Sequence, residues 1–267
     1  MLFSVVVRFV ACTQTSYIHP DEFYQSFQAI YHDNVPWEFS NSRKPCRSSI
    51  PLLIFYYPVI LLGTYFNLSS LSILLLTKFE FCLLTWIVGE WCLHRIMPIK
   101  HERIKASFFF NTSYITLVYQ SHTFSNSIET CVVLLVVYLI DDIRQYLEMY
   151  SSKASENDKQ ESIRSCKNAY SSSKLALLGI LVSFGIFNRI TFLCWLILPS
   201  IYLLKFFFKN KIRSLIPIVS FSLATFIFIL IDTLYFQRHI DFPDNLTFAP
   251  LNSLLYNSKV GNLSKHG

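Results

Sequence analysis

The chain is short of charge and of glycine. Only 15% of its 267 residues are Asp, Glu, Lys or Arg, and only 6 are Gly. A soluble domain carries about 25% charged residues, so a water-facing surface of ordinary composition is excluded. With 52% hydrophobic residues, 25 Phe and 15 Tyr, the surplus apolar surface has to face lipid. There is no GxGxxG or P-loop, which removes the common nucleotide fingerprints, and no internal repeat. The seven cysteines, Cys12, Cys46, Cys82, Cys92, Cys131, Cys166 and Cys194, form no CxxC and keep no regular spacing. That pattern is neither a zinc site nor a disulfide scaffold. With no HxxxH and no paired-acid spacing, no metal is assigned. The formal charge of +6 falls in short basic clusters between apolar runs. That is the pattern of cytoplasmic loops in a membrane protein, so nucleic acid is not an expected partner.

What is present is a series of apolar runs, at 2–13, 50–66, 71–93, 106–120, 127–140, 175–187, 190–204 and 214–231. A hydrocarbon core about 27 Å thick needs about 18 helical residues, so these runs predict an all-α, multi-pass membrane protein. Four basic residues lie in 94–105, six in 141–174 and four in 205–213, together 14 of the 23. These three segments are therefore expected on the cytoplasmic side. If 2–13 leads outward, parity lets only one of 50–66 and 71–93 cross. The second is assigned the crossing, and 50–66, with Pro51 and Pro58, is expected along the interface or as a re-entrant pair; the opposite choice is the alternative, because Lys78, Glu80 and Glu90 interrupt 71–93. Residues 14–49, 121–126, 188–189 and 232–267 then share the opposite, lumenal face. Segment 141–174 reads as a flexible cytoplasmic loop. Arg8 inside the first run, with no small-residue cleavage site after it, favours a short first crossing over a cleaved signal peptide. No terminal lipid-anchor signal is present.

The candidate chemistry lies in "SYIHPDEFYQSFQAIYHDNVPWEF", residues 16 to 39. A helix start accounts for part of it. Pro20 suits a first helical position, Asp21 and Glu22 suit a first turn, and Phe23, Phe27, Ile30 and Tyr31 repeat at helical spacing. That reading leaves the neighbours unexplained. Trp37, Glu38, Arg43, Lys44 and Arg47 follow within the same predicted loop. Carboxylates can take a hydroxyl proton, a ring can stack on a pyranose, and cations can hold phosphate. The set suits a sugar on a lipid phosphate, with an interfacial aromatic and basic belt as the alternative for Trp37 and the arginines. Arg189, between two apolar runs on the predicted lumenal side, is either a phosphate ligand or a snorkelling cation. His122, Asn126 and Glu129 share that side and either contact a glycan or cap helix ends. Asp232 either binds sugar or, the preferred reading, terminates a helix in water. The sequons at Asn245 and Asn262 lie in the predicted lumenal tail, and that at Asn111 lies too deep in a crossing for glycosylation.

The blocks "YIHPDEFYQSFQ", "PWEF", "CRSSIP", "HTFSNSIET", "GIFNRITF", "DTLYF", "PLNSLLYN" and "GNLSKHG" occur in that order across nearly the whole chain. In this order they resemble the dolichyl-phosphate-mannose-dependent mannosyltransferases of glycosyltransferase family 22, and within it the branch acting on the GPI-anchor precursor. The resemblance implies the GT-C fold over 1–267, here its N-terminal part, with an essential acid in a first lumenal loop spanning 14–49. By position that acid is Asp21, the preferred base, or Glu22. His19, Trp37, Glu38, Arg47, His122, Asn126, Glu129 and Arg189 become the expected substrate contacts. The implied reaction moves an α-1,2-linked fourth mannose from dolichyl phosphate mannose to the third mannose of the GPI precursor, with inversion, in the endoplasmic reticulum membrane. The implied donor is a substrate, and no cofactor is expected. Family members usually continue beyond Gly267, so the chain is expected to be C-terminally short. A related transferase for another lipid-linked glycan, and an inactive short homologue, are the alternatives.

Overall fold

A computed structural model describes residues 2–16, 18–31, 35–151, 171–238 and 246–259. Among these residues there is no β-strand. The chain enters through α1 (Leu2–Cys12). It then runs through three short helices, α2 (Asp21–Tyr24), α3 (Phe27–Tyr31) and α4 (Trp37–Ser40). A π-helical turn (Leu52–Tyr56) leads into α5 (Tyr57–Tyr65), followed by α6 (Ser70–Ile96) and α7 (Lys100–Thr112). Next come α8 (Tyr114–Val118), a 3-10 turn (Tyr119–Ser121) and α9 (Ser125–Ser151). The described remainder is α10 (Ser172–Asn188), α11 (Phe192–Leu196), α12 (Ser200–Lys209), α13 (Lys211–Gln237) and α14 (Ala249–Asn257).

Two of these helices, α6 and α13, are long and apolar enough to cross a membrane. A third candidate arises if Tyr114–Ser121 and Ser125–Glu148, bent by 119°, count as one broken span. The run 71–93 thus lies in a membrane-length helix, whereas 50–66 forms the shorter helix beginning with the π-helical turn. Local chemistry explains the start of α6. Ser69 accepts the Ser72 N–H at 3.2 Å, and His94 and Arg95 occupy its last turn, where cations meet the negative end of the helix.

Two expected crossings are not continuous helices. Run 106–120 is interrupted at Ser113, whose backbone is extended (φ −61°, ψ 130°). Before the break, Ser107 Oγ donates to both Glu90 oxygens at 2.8 and 2.9 Å, and Asn111 Nδ2 also donates to Glu90. One side of the segment is thereby held to α6, while Phe108, Phe109, Tyr114 and Ile115 stay exposed. Asn111 is buried in these contacts and further bonded to Arg8. Run 190–204 breaks between Leu196 and Ser200, where Pro199 cannot continue the hydrogen-bond ladder. In the expected loop 141–174, α9 occupies the residues up to Ser151 and α10 begins at Ser172. Residues 152–170, and the sequons at Asn245 and Asn262, lie outside the described residues.

The helices pack as a bundle, with α10 lying along α13 and both α6 and α10 against α9. The α10–α13 contact depends on one glycine. A Cβ at Gly179 would collide with the Pro217 carbonyl and the Ser220 hydroxyl of α13. Phe81, Val136, Phe192 and Phe206 are fully buried between the helices. Phe187 extends this packing to the last described helix, with ring centroids 5.3 Å from Phe228 and 5.7 Å from Phe248.

Candidate functional site

The beginning of α9, the end of α10 and the end of α13 meet the loop 14–49 at one end of the bundle. Segments separated by more than 180 residues touch there. Two polar assemblies form at this end.

The first is closed. In α2, Pro20 precedes Asp21 and Glu22, and the four-residue helix turns Glu22 inward until the residue is 1% exposed. Glu22 Oε1 lies 2.7 Å from His122 Nδ1 and 3.5 Å from Lys78 Nζ. A carboxylate only accepts, so the Nδ1 proton belongs to His122. The Ile18 N–H donates to Glu22 Oε2 at 3.1 Å, and the Thr123 N–H to Oε1 at 3.4 Å. Lys78 in turn donates to the Ser16 and Gln14 carbonyls at 2.7 and 3.2 Å. Burial pushes the Glu22 carboxyl up, but the His122 hydrogen bond, Lys78 and the Ile18 N–H outweigh it and hold the group below the usual carboxylate range.

The second assembly is open. The same helix turn that buries Glu22 leaves Asp21 outside. Its side chain is 52% exposed and stands 3.5 Å from His19 Nδ1, itself 60% exposed. Nearby is a cavity of about 160 Å³ lined by Glu38, Arg47, Ser48, Asn188, Arg189 and Thr191, with Pro250, Ser253 and Asn257 on its far wall. Arg47 Nε pairs with Glu38 at 2.8 Å, while Arg189 Nε is 3.7 Å from Glu129. Both guanidinium groups also reach the same hydroxyl, Ser125 Oγ at the start of α9, at 3.4 and 3.5 Å. Burial and then the neighbouring Arg47 charge lower the Arg189 pKa, with Glu129, Glu38 and Asp21 offsetting part of the shift. Two partly buried cations that share one acceptor, Arg47 held by Glu38 and Arg189 only loosely by Glu129, are prepared for an anion that can take donors from both.

Glu38, Arg47, Glu129 and Arg189 thus form one connected cluster at the cavity, Asp21 is exposed beside His19, and Glu22 and His122 are engaged with each other in the interior. Trp37, 41% exposed, packs against Tyr256 of α14 with centroids 4.9 Å apart and the rings tilted by 35°. Asn126 is exposed in the first turn of α9. The sequence reading misplaced Asp232. Instead of ending a helix in water, it is 0% exposed and accepts hydrogen bonds from Ser48 and Ser49. Lys78, read in the sequence only as an interruption of a crossing, is the buried partner of Glu22. Among the described residues no group of three His, Cys, Asp or Glu side chains could hold a metal ion.

Comparison with known proteins adds the decisive observation: the profile of the Alg9-like mannosyltransferase family matches residues 1–267. The chain belongs to this family. Among its relatives, the chain is similar to GPI mannosyltransferase 4 of Debaryomyces hansenii, with 43% identity over 100% of this chain and 50% of that protein. It is also similar to GPI mannosyltransferase 4 of Candida albicans, with 40% identity over 100% and 53%. The Saccharomyces cerevisiae protein of the same name is 32% identical over 98% and 48%. The chain therefore spans about half the length of these curated relatives. No solved structure matches it. The cavity lined by Glu38, Arg47 and Arg189 is the candidate site.

Proposed function

We propose that this chain carries the acid and phosphate-binding groups of a GPI mannosyltransferase of the endoplasmic reticulum membrane. In this reading the enzyme moves mannose from dolichyl phosphate mannose to the third mannose of the GPI precursor, forming an α-1,2 linkage. The observation that carries the reading is Arg47 and Arg189 reaching the same Ser125 hydroxyl and lining one cavity, with Asp21 exposed in the same loop as Arg47. The shared name of the relatives supports the GPI precursor as acceptor.

The chemistry follows from this division of labour. Asp21 accepts the proton of the acceptor hydroxyl as its oxygen attacks the anomeric carbon. The bond from that carbon to the phosphate oxygen breaks, and dolichyl phosphate leaves with the electron pair. One displacement inverts the configuration. The leaving phosphate is already a stable anion, so no second carboxylic acid has to protonate it. Arg47 and Arg189 hold the phosphate in place and stabilise the charge it gains.

The test is transfer by membranes from cells that lack endogenous fourth-mannose activity and express the whole protein. The expected product carries one additional mannose released by an α-1,2-specific mannosidase. A product on another lipid-linked glycan would reassign the acceptor, and no transfer by well-expressed protein would overturn the catalytic reading.

A further inference from the structure

We propose that Asp232 is a positioning residue for Arg47 and sets one wall of the anion-binding cavity from the far end of the chain. The inference rests on the reading above, in which Arg47 and Arg189 hold the donor phosphate.

Burying a carboxylate at the end of an apolar helix is costly unless hydrogen bonds compensate, so its partners indicate what it is for. Asp232 Oδ1 accepts the Ser49 N–H at 2.8 Å, the Ser49 hydroxyl at 2.7 Å and the Ser48 hydroxyl at 3.0 Å. Ser48 Oγ also accepts the Ile50 N–H at 3.1 Å, which fixes the backbone just after Arg47. Arg47 leaves this anchored segment towards Glu38 and Ser125. Asp232 does not itself line the cavity, but Ser48 does. It therefore acts through its neighbours and does not bind the anion.

The next residue of α13 secures a second part of the lining. Thr233 Oγ1 accepts the Thr247 N–H at 3.0 Å, and Gln237 Nε2 donates to Thr247 Oγ1 at 2.8 Å. Thr247 leads into α14, whose Pro250, Ser253 and Asn257 face the cavity. One helix end thus ties down two segments that line the cavity, and these also touch each other where Asn252 Nδ2 donates to the Pro45 carbonyl at 3.2 Å, so the placing of Arg47 within the lining is referred to α13.

The test uses the whole protein in its membrane, with donor concentration varied at saturating acceptor. Asp232→Ala removes the shared acceptor and should raise the donor KM about tenfold, the scale of a lost charge-assisted hydrogen bond, with kcat within about twofold. Asp232→Asn keeps an oxygen in the Oδ1 position and should restore the donor KM to within about twofold. In an Arg47→Ala background, Asp232→Ala should add nothing further, because the group it positions is gone. Should the Asp232→Ala chain fail to accumulate, Ser48→Ala combined with Ser49→Ala cuts the same link from the other side and should raise the donor KM in the same direction. Multiplicative KM effects in the double variant, or lower protein with unchanged KM in both single-site tests, overturn the proposal. An unchanged donor KM in Arg47→Ala overturns the phosphate reading and the proposal with it. A raised KM in Arg47→Ala with none in Asp232→Ala overturns the positioning role alone.

Discussion

The nest around Glu22 and the cavity beside Asp21 use the same materials: a carboxylate, a histidine or arginine, and hydroxyls. They differ in closure. Around Glu22, backbone N–H groups, Lys78 and His122 occupy the carboxylate from several sides, and water has no access. Around Arg47 and Arg189 the side chains remain partly open, 19% and 29% exposed, and line a cavity. Two adjacent residues of one helix turn, Asp21 and Glu22, are therefore sorted by direction alone. The inward acid fixes the loop; the outward acid is free to meet a substrate. Closure, more than residue type, separates a structural ion cluster from a reactive one.

The comparison breaks most sharply at Asp21. Asp21→Asn preserves size and the helix start while removing the proton acceptor, so turnover should fall about 100- to 10,000-fold with normal insertion. Transfer at the wild-type rate per molecule would place the base elsewhere. Glu22→Ala should act on the opposite quantity. Leaving Lys78 and His122 buried without their carboxylate should cost about 3–5 kcal/mol of stability, read as lost protein or a lower unfolding temperature in detergent. Intact thermal stability in this variant would remove the distinction between the two acids.

A smaller effect sharpens the open side. Arg189→Lys keeps the charge but loses the planar fork, and should reduce kcat/KM about tenfold with unchanged expression. An unaffected kcat/KM would make Arg189 a snorkelling cation. pH gives the finest test. The Glu22 carboxyl is held below its ordinary value of 4.5, so the stability it supplies is fully present above 4.5 and is lost as pH falls through the lower folded-state value. Thermal stability of the wild type should therefore drop below about pH 4.5 more steeply than that of Glu22→Gln. Parallel curves would show that the nest does not depend on ionised Glu22.

Much of the open site was legible in the sequence because its parts are local signals. "HPDE" carries both acids, "PWEF" places Glu38 after Trp37, and Arg189 stands out between two apolar runs. The helical class and the α6 and α13 spans were legible from apolar run length. What was not legible depends on pairing at long range. Nothing near Asp232 marks its partners, which lie 183 and 184 residues away at Ser49 and Ser48. Lys78 looks like a defect in a crossing until Glu22 is brought to it. The interruption at Ser113 has no proline or glycine to announce it, and the bonds that hold Ser107 and Asn111 to Glu90 reach another helix. The split between Asp21 and Glu22 was likewise beyond the sequence, because both residues suit a first turn equally well.

Helix α13 also has a mechanical meaning. Its uncharged stretch, residues 214 to 231, is about 27 Å long at about 1.5 Å per residue, close to the hydrocarbon thickness of a thin bilayer. Much of its flank is bare, with Val219 61% and Leu223 58% exposed. Asp232 follows at the edge of that stretch. In a membrane several ångströms thicker, the mismatch has to be taken up by thinning the lipid or by drawing the polar end of α13 inward, at a cost of fractions of a kcal/mol per Å. That end is the one fastened to Ser48 and Ser49. Lipid chain length thereby becomes a variable of the cavity, and transfer should decline as vesicles are made from progressively longer acyl chains.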